Sequence, residues 1–143
     1  IERTTPRKLE SLKSMLLKIH DNISIDEYEE NVSLSNLTPS QSEVYRGELK
    51  GRKYEIQNGL AEPIVVVRCS GQTVIADGHH RSVSANNLDM RNVNAYVLDI
   101  KDNIDLGLIE QAHSQGLNAI EDIDVIEDEE HPHIEKIDII SNL

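Results

Sequence analysis

The stretch TVIADGHHRSVSAN, residues 73–86, changes character at its single glycine. The letters before the glycine are rich in β-branched residues, which is typical of a strand, and the letters after it favour a helix. Gly78 lets the backbone turn sharply between the two elements. The sequence therefore predicts a strand–turn–helix unit that carries His79, His80 and Arg81 at its turn.

A helix that begins directly after such a turn presents an anion site at its first residues. The first N–H groups of a helix have no intrahelical partner and lie at the positive end of its dipole. His79, His80, Arg81 and Ser82 add side-chain donors, and the arginine fork suits phosphate or carboxylate oxygens. Asp77 has three alternative roles here: to cap the helix, to orient a histidine, or to hold a metal ion attached to a nucleotide.

The flanking sequence predicts an α+β fold, with a small mixed sheet and surrounding helices. PIVVVRC (63–69) and QTVIA (72–76) are strand-like runs joined by Ser70-Gly71, the pattern of a hairpin. VNAYVLDI (93–100) predicts another strand, and ISIDEYEENVSL (23–34) predicts an acidic strand or turn.

Helical signals occur in four places along the chain. Helices are expected over Thr5–Ile19, from Thr38-Pro39 with Thr38 as N-cap, within residues 79–90, and within residues 105–116. Gly47 and Gly51 suggest a break in the second of these helices, and Gly59 ends the segment. In the fourth helix, Leu106, Ile109 and Ala112 are expected to face inward, with Gly116 at the end.

The length and the charge of the chain limit the number of domains and the class of binding partner. The 143 residues suit one domain. We divide it into an N-terminal helix (1–20), a core (about 23–115) and an acidic C-terminal extension (117–143) with edge strands and a solvated turn at residues 127–130. The net charge is −12, and the chain has four tyrosines, no phenylalanine and no tryptophan. General DNA or RNA binding is therefore not favoured.

Cysteine, membrane and metal signals are weak. Cys69 has no second cysteine to pair with and is expected to be a reduced thiol in a strand. No apolar stretch approaches the ~20 residues of a membrane helix and no secretory pattern opens the chain, so we expect a cytoplasmic protein with no membrane partner. His131-Pro132-His133 resembles part of a zinc site but lacks a third ligand at a definite spacing.

The stretch AEPIVVVRCSGQTVIADGHHRSVSANNLDMRNVNAYVLD, residues 61–99, resembles the core of the ParB/sulfiredoxin superfamily. The shared features are a Pro-Ile-Val strand, a hairpin, a Gly-x-x-Arg turn into a helix, and a further strand. The resemblance covers residues 62–99 well and residues 37–59 loosely.

The residue after the glycine separates the branches of this superfamily. Sulfiredoxins carry a reactive cysteine where this chain has His79, so the resemblance does not favour sulfinic acid reduction. ParB proteins that load onto DNA carry a glutamate there and bind CTP, so centromere loading is not favoured either. The spelling Asp-Gly-His-His-Arg is most similar to the free serine kinases, and it also occurs in ParB-like proteins, some of them labelled nucleases.

The resemblance implies a nucleotide-binding domain that carries out phosphoryl transfer or NTP hydrolysis. ATP, ADP or CTP, with magnesium, would bind at residues 77–82, and a small hydroxyl compound is the implied substrate. His79 and His80 would stabilise the transferring charge, and Asp77 would orient a histidine or the metal. The alternatives are a DNA-associated nucleotide switch and a nuclease.

The catalytic base is expected in the segment LTPSQSEV, residues 37–44. It resembles the kinase segment Leu-x-Pro-His-Glu-Glu-Val but is one residue longer. One alignment makes Glu43 the base. The other places Gln41 there, which cannot act as a base and would instead contact the nucleobase or a substrate carbonyl.

Overall fold

The computed structural model describes residues 5–19, 23–102 and 107–127. The helices and strands are α1 (Thr5–Ile19), β1 (Ile25–Ser33), β2 (Leu37–Thr38), β3 (Glu43–Tyr45), α2 (Arg46–Gln57), β4 (Ile64–Cys69), β5 (Gln72–Asp77), α3 (His79–Asn87), β6 (Asn92–Ile100), α4 (Leu108–Ser114) and β7 (Asp124–Ile126).

A mixed five-stranded sheet forms the centre of the fold, in the order β1-β6-β4-β5-β2. β4 lies in its middle, antiparallel to β5 and parallel to β6. A strand in this position is covered on both faces, which explains why β4 begins with an unbroken apolar run. The α+β fold predicted from the sequence is confirmed.

The hairpin between β4 and β5 has the predicted turn. Ser70 and Gly71 both adopt left-handed backbone conformations, with φ of 52° and 79°. This pair of positive φ values is what a two-residue hairpin loop of type I′ requires. The predicted helix α1, the strand β1 and the end of α2 before Gly59 are confirmed as well.

Helices cover both faces of the sheet. Ile64 and Val66 of β4 point to the face where Leu49 of α2 and Val83 of α3 pack. The alternate residues of β4 point to the opposite face, where α1 and α4 lie. Burying one such valine or leucine contributes about 1.5–3 kcal/mol, so this alternation fixes which side of the strand faces α3.

The helix predicted from Thr38-Pro39 is wrong. Thr38 belongs to β2 and Pro39 is fully buried in the loop that follows, while α2 begins at Arg46. Val44 is fully buried as part of β3, and the parallel pairing of β3 with β7 holds this segment extended. The predicted break at Gly47 and Gly51 is also wrong, since both residues lie within α2.

The segment from residue 117 to residue 126 packs against the core. Leu117, Ile120 and Ile123 are buried, and β7 pairs with β3. Ala112 of α4 is buried as expected, whereas Leu106 lies outside the described residues. Residues 128–143, which include most of the acidic turn and His131-Pro132-His133, lie outside them too.

Candidate functional site

Gly78 forms the turn between β5 and α3, and only glycine fits there. Its φ is 105°, a left-handed conformation that other residues rarely adopt. A β-carbon at this position would lie 2.6 Å from Cγ2 of Ile64. The backbone of the turn therefore lies directly against the first residue of β4.

The first turn of α3 presents backbone donors at the end of β5. The amide and the hydroxyl of Ser82 both donate to the Gly78 carbonyl, at 2.9 Å each. Gly78 is the N-cap residue and has no side chain to cap the helix. The N–H groups that precede the Ser82 amide in the helix have no intrahelical acceptor, so they and the dipole make this end electropositive.

Arg81 points back across the turn. Its guanidinium donates to the carboxylate of Asp77 at 2.8 Å and to the backbone carbonyls of Pro63 at 2.9 Å and Glu62 at 3.2 Å. The side chain is only 11% exposed. Arg81 therefore connects the start of α3 to the residues that precede β4 by hydrogen bonds. The sequence did not indicate this role.

Asp77 is the ion-pair partner of Arg81, at helical i,i+4 spacing. It lies directly before Gly78, the N-cap residue of α3. The carboxylate of Glu62 lies 4.0 Å from the same guanidinium. The negative charges of two carboxylates thus offset the positive charge of Arg81. The side chains around the turn therefore add no net positive charge.

His79 is buried beneath the loop between β2 and β3. Its Nε2 accepts the backbone N–H of Ser40 at 2.9 Å, and the Ser40 hydroxyl donates to the Ile75 carbonyl at 2.6 Å. Burial lowers the pKa of His79 to about 4, although the charge of Asp77 acts in the opposite direction. The ring is therefore neutral near pH 7.

His80 contacts the last residue of β3, the strand that this loop leads into. Its Nε2 accepts the backbone N–H of Tyr45 at 3.1 Å, and its Nδ1 lies 2.8 Å from a carboxylate oxygen of Glu48. The ring also stacks on Tyr45, with centroids 6.0 Å apart. The sequence did not single out Glu48, because the expected start of α2 lay seven residues too early.

The two residues that could occupy the base position, Gln41 and Glu43, lie on this segment. Gln41 is exposed in the loop, and its side-chain amide donates to the backbone carbonyl of Glu43. Glu43 is half-buried at the start of β3, which packs against α3. The structure thus places the loop and β3 beside the turn, with Glu43 in a strand rather than in the expected helix.

Within residues 5–19, 23–102 and 107–127, no group of three or more histidine, cysteine, aspartate or glutamate side chains could hold a metal ion. Asp77, the predicted metal ligand, is paired with Arg81. Magnesium usually binds one or two carboxylates together with substrate phosphates rather than an all-protein cage. At this turn, the phosphates of a nucleotide would therefore have to supply most of the ligands of a magnesium ion.

Cys69 lies at the opposite end of β4 from the turn. Ile64 contacts Gly78, and Cys69 is the last residue of the same strand, about 16 Å away at the usual rise per residue. Its sulfur is 3.8 Å from the Ser70 hydroxyl in the hairpin. Cysteine chemistry at the α3 turn is therefore not available to this thiol.

No protein-family model matches the chain. The chain is 31% identical over 139 residues to the uncharacterized protein MJ0188 of Methanocaldococcus jannaschii, a match that covers 96% of this chain and 52% of that protein. The chain therefore spans about half the length of the curated relative that it matches.

Among solved structures, protein Atu1540 from Agrobacterium tumefaciens superimposes with a TM-score of 0.54 at 13% identity, over 70% of this chain and 63% of that one. Sulfiredoxin from Arabidopsis thaliana gives a TM-score of 0.43 at 19% identity, over 49% of this chain and 83% of that one. The likeness to Atu1540 is one of fold. At that level, it agrees with the α+β architecture expected from the sequence. No helix among the described residues is long and apolar enough to cross a membrane.

Proposed function

We propose that this chain is a nucleotide-binding domain that holds phosphates at the start of α3 and carries out phosphoryl transfer or NTP hydrolysis. The observation that carries the proposal is the Gly78 turn. A glycine with φ of 105° and no room for a β-carbon leads directly into a helix N-terminus, the arrangement that suits close backbone approach to an anion.

Backbone amides, rather than charged side chains, would provide most of the phosphate contacts. Arg81 is already engaged with Asp77 and two carbonyls, and it would contribute mainly by holding the turn in shape. Because the carboxylates of Asp77 and Glu62 lie beside this arginine, a nucleotide would meet local negative charge. We therefore propose that ATP, ADP or CTP binds as its magnesium complex.

The proposed reaction uses a hydroxyl group of water or of a small substrate. The hydroxyl oxygen attacks the terminal phosphorus and a new P–O bond forms. The bond to the leaving group breaks, which releases a nucleoside diphosphate from ATP or CTP and a nucleoside monophosphate from ADP. The proton of the attacking hydroxyl passes to a base, for which Glu43 is the candidate carboxylate. Gln41 cannot take that proton and would only orient the attacking group.

Binding is tested by following backbone amide resonances while ATP, ADP or CTP is added with magnesium. We expect the amides of residues 78–82 to shift with nucleotide and with inorganic phosphate, and not with adenosine, which lacks the phosphate. Shifts confined to other segments, or none at millimolar nucleotide, would overturn the proposal.

Turnover is tested separately by phosphorus NMR, which distinguishes released phosphate from a phosphorylated acceptor. If Glu43 is the base, Glu43→Gln should reduce turnover by about a hundredfold or more while the nucleotide still binds. Ser42→Ala, at the exposed position directly before Glu43, is the matched control and should keep the wild-type turnover. Equal turnover in Glu43→Gln and the wild type would remove Glu43 from the reaction.

A nucleotide switch is the second candidate function, because α3 and the loop are joined through two histidines. In a switch, nucleotide binding moves the loop and no small molecule is phosphorylated. Hydrolysis measured with and without DNA separates the two, since only a DNA-associated switch should respond to DNA. Nicking of plasmid DNA by the pure protein with added metal would instead indicate the nuclease.

A further inference from the structure

Two adjacent histidines contact the two ends of residues 40–45, a loop that continues into the strand β3. His79 accepts the backbone N–H of Ser40 at 2.9 Å, and His80 accepts that of Tyr45 at 3.1 Å. The two acceptors are consecutive residues in the first turn of α3, while the two donors lie five residues apart. The helix start and the loop over residues 40–45 are therefore joined at two points.

These contacts determine where the ring protons lie. A backbone N–H can only donate, so Nε2 of each ring must present a lone pair. Each ring is then neutral, with its proton on Nδ1, and His80 directs that nitrogen to Glu48 at 2.8 Å. Neither Nε2 can donate a hydrogen bond to a phosphate oxygen while the loop is in place.

The loop between the two contacts carries the exposed polar residues. Pro39 and Val44 are fully buried and fix its ends, whereas Ser40, Gln41 and Ser42 are exposed. Gln41 and Glu43 lie between the two hydrogen-bonded amides. If the first turn of α3 shifts, the two rings would therefore move the segment that holds Gln41 and Glu43.

We propose that His79 and His80 are positioning residues that hold the loop over residues 40–45 in a fixed relation to the phosphate-binding turn. This inference rests on the proposed function and assigns the histidines to the loop rather than to the transferring charge. Nucleotide binding at the turn and the placement of Gln41 and Glu43 are then coupled through the two rings.

Glutamine and asparagine substitutions separate this role from general stability. Glutamine can place an oxygen where Nε2 lies, whereas the shorter asparagine cannot reach the loop amides. The variants are His79→Gln, His79→Asn, His80→Gln and His80→Asn. His113→Asn, at an exposed position on α4, is the matched control.

The first measurement needs no ligand. We expect amide hydrogen exchange at Ser40 to rise about tenfold in His79→Asn, and at Tyr45 in His80→Asn, because each loses its acceptor. The glutamine variants should restore exchange towards the wild-type rate. Equal exchange at both amides in the asparagine and glutamine variants, relative to the His113→Asn control, would overturn the positioning role.

The second measurement adds ADP with magnesium and follows the amides of the turn and the loop together. In the wild type and the glutamine variants, the amides of residues 78–82 and of residues 41–43 should shift in parallel. In the asparagine variants the turn should still shift while the loop responds less. Unchanged loop shifts in the asparagine variants would overturn the coupling and leave nucleotide binding intact. Absence of any shift at the turn in the wild type would instead overturn the proposed function, and the positioning role is then decided by exchange alone.

Discussion

The burial of His79 predicts that the fold loses stability as the pH falls below neutral. Burial lowers the pKa of this side chain to about 4 in the folded protein, compared with 6.5 for an ordinary histidine. Between these two values the unfolded chain binds a proton at this position and the folded chain does not. The free energy of unfolding must therefore decrease as the pH falls, and the decrease is complete near pH 4.

The size of the effect follows from the two pKa values. A difference of one unit corresponds to about 1.4 kcal/mol, so the full contribution of His79 is about 3 kcal/mol. From pH 7 to pH 5 the loss should be about 2 kcal/mol, before most carboxylates titrate. Asp77 and His80 act on the ring in opposite directions, and both are included in the lowered pKa of His79.

Urea unfolding at a series of pH values measures this loss. His79→Gln removes the titrating group and keeps an acceptor for the Ser40 N–H, so its stability should fall about 2 kcal/mol less than that of the wild type between pH 7 and 5. His113→Gln, at an exposed position, should retain the wild-type slope. Parallel curves for the wild type and His79→Gln would refute the reasoning, as would an NMR titration that places the His79 pKa near 6.5.

Two further predictions concern backbone strain and a polar contact. Gly78→Ala should lower the free energy of unfolding by about 3 kcal/mol or more, because the left-handed conformation is strained and the new β-carbon would clash with Ile64. Gly51→Ala in α2 should instead raise it by about 0.5–1 kcal/mol. Similar urea midpoints for the two variants would contradict this prediction. The hydrogen bond from the Tyr28 hydroxyl to Asp99 raises the pKa of Tyr28. Asp99→Asn should therefore lower the pKa of this tyrosine, which tyrosinate absorbance measures. Identical alkaline titrations of the variant and the wild type would show that this contact has no effect.

The elements that could be predicted from the sequence are those whose pattern is local. The hairpin follows from two β-branched runs and the Ser70-Gly71 dipeptide, and α1 follows from its helical spacing of apolar residues. The start of α2 could not be predicted in this way. Val44 is buried because β3 pairs with β7, about eighty residues further along, and that partner is not visible in the local sequence.

In the candidate site, too, only the features with a local sequence pattern could be predicted. The turn at Gly78 was predicted because a strand, a glycine and a helix follow one another directly. The partners of its side chains were not, since Arg81 binds the carbonyl of Pro63 and His79 binds the amide of Ser40. Backbone groups carry no signal in the sequence that would mark them as partners, so the inward direction of these side chains emerges only in the fold.

The inward direction of the basic side chains changes what the turn can recognise. Three basic residues in a row suggest that the turn attracts anions by positive charge. However, His79 is neutral near pH 7, and the guanidinium of Arg81 lies between carboxylates. The remaining attraction for an anion comes from amide groups held in one geometry by a glycine that no other residue can replace. Such a site selects by shape and by the number of oxygens that it can contact. Under the proposed function, it would therefore favour a phosphate with several oxygens, brought with its own cation, over a simple negative charge.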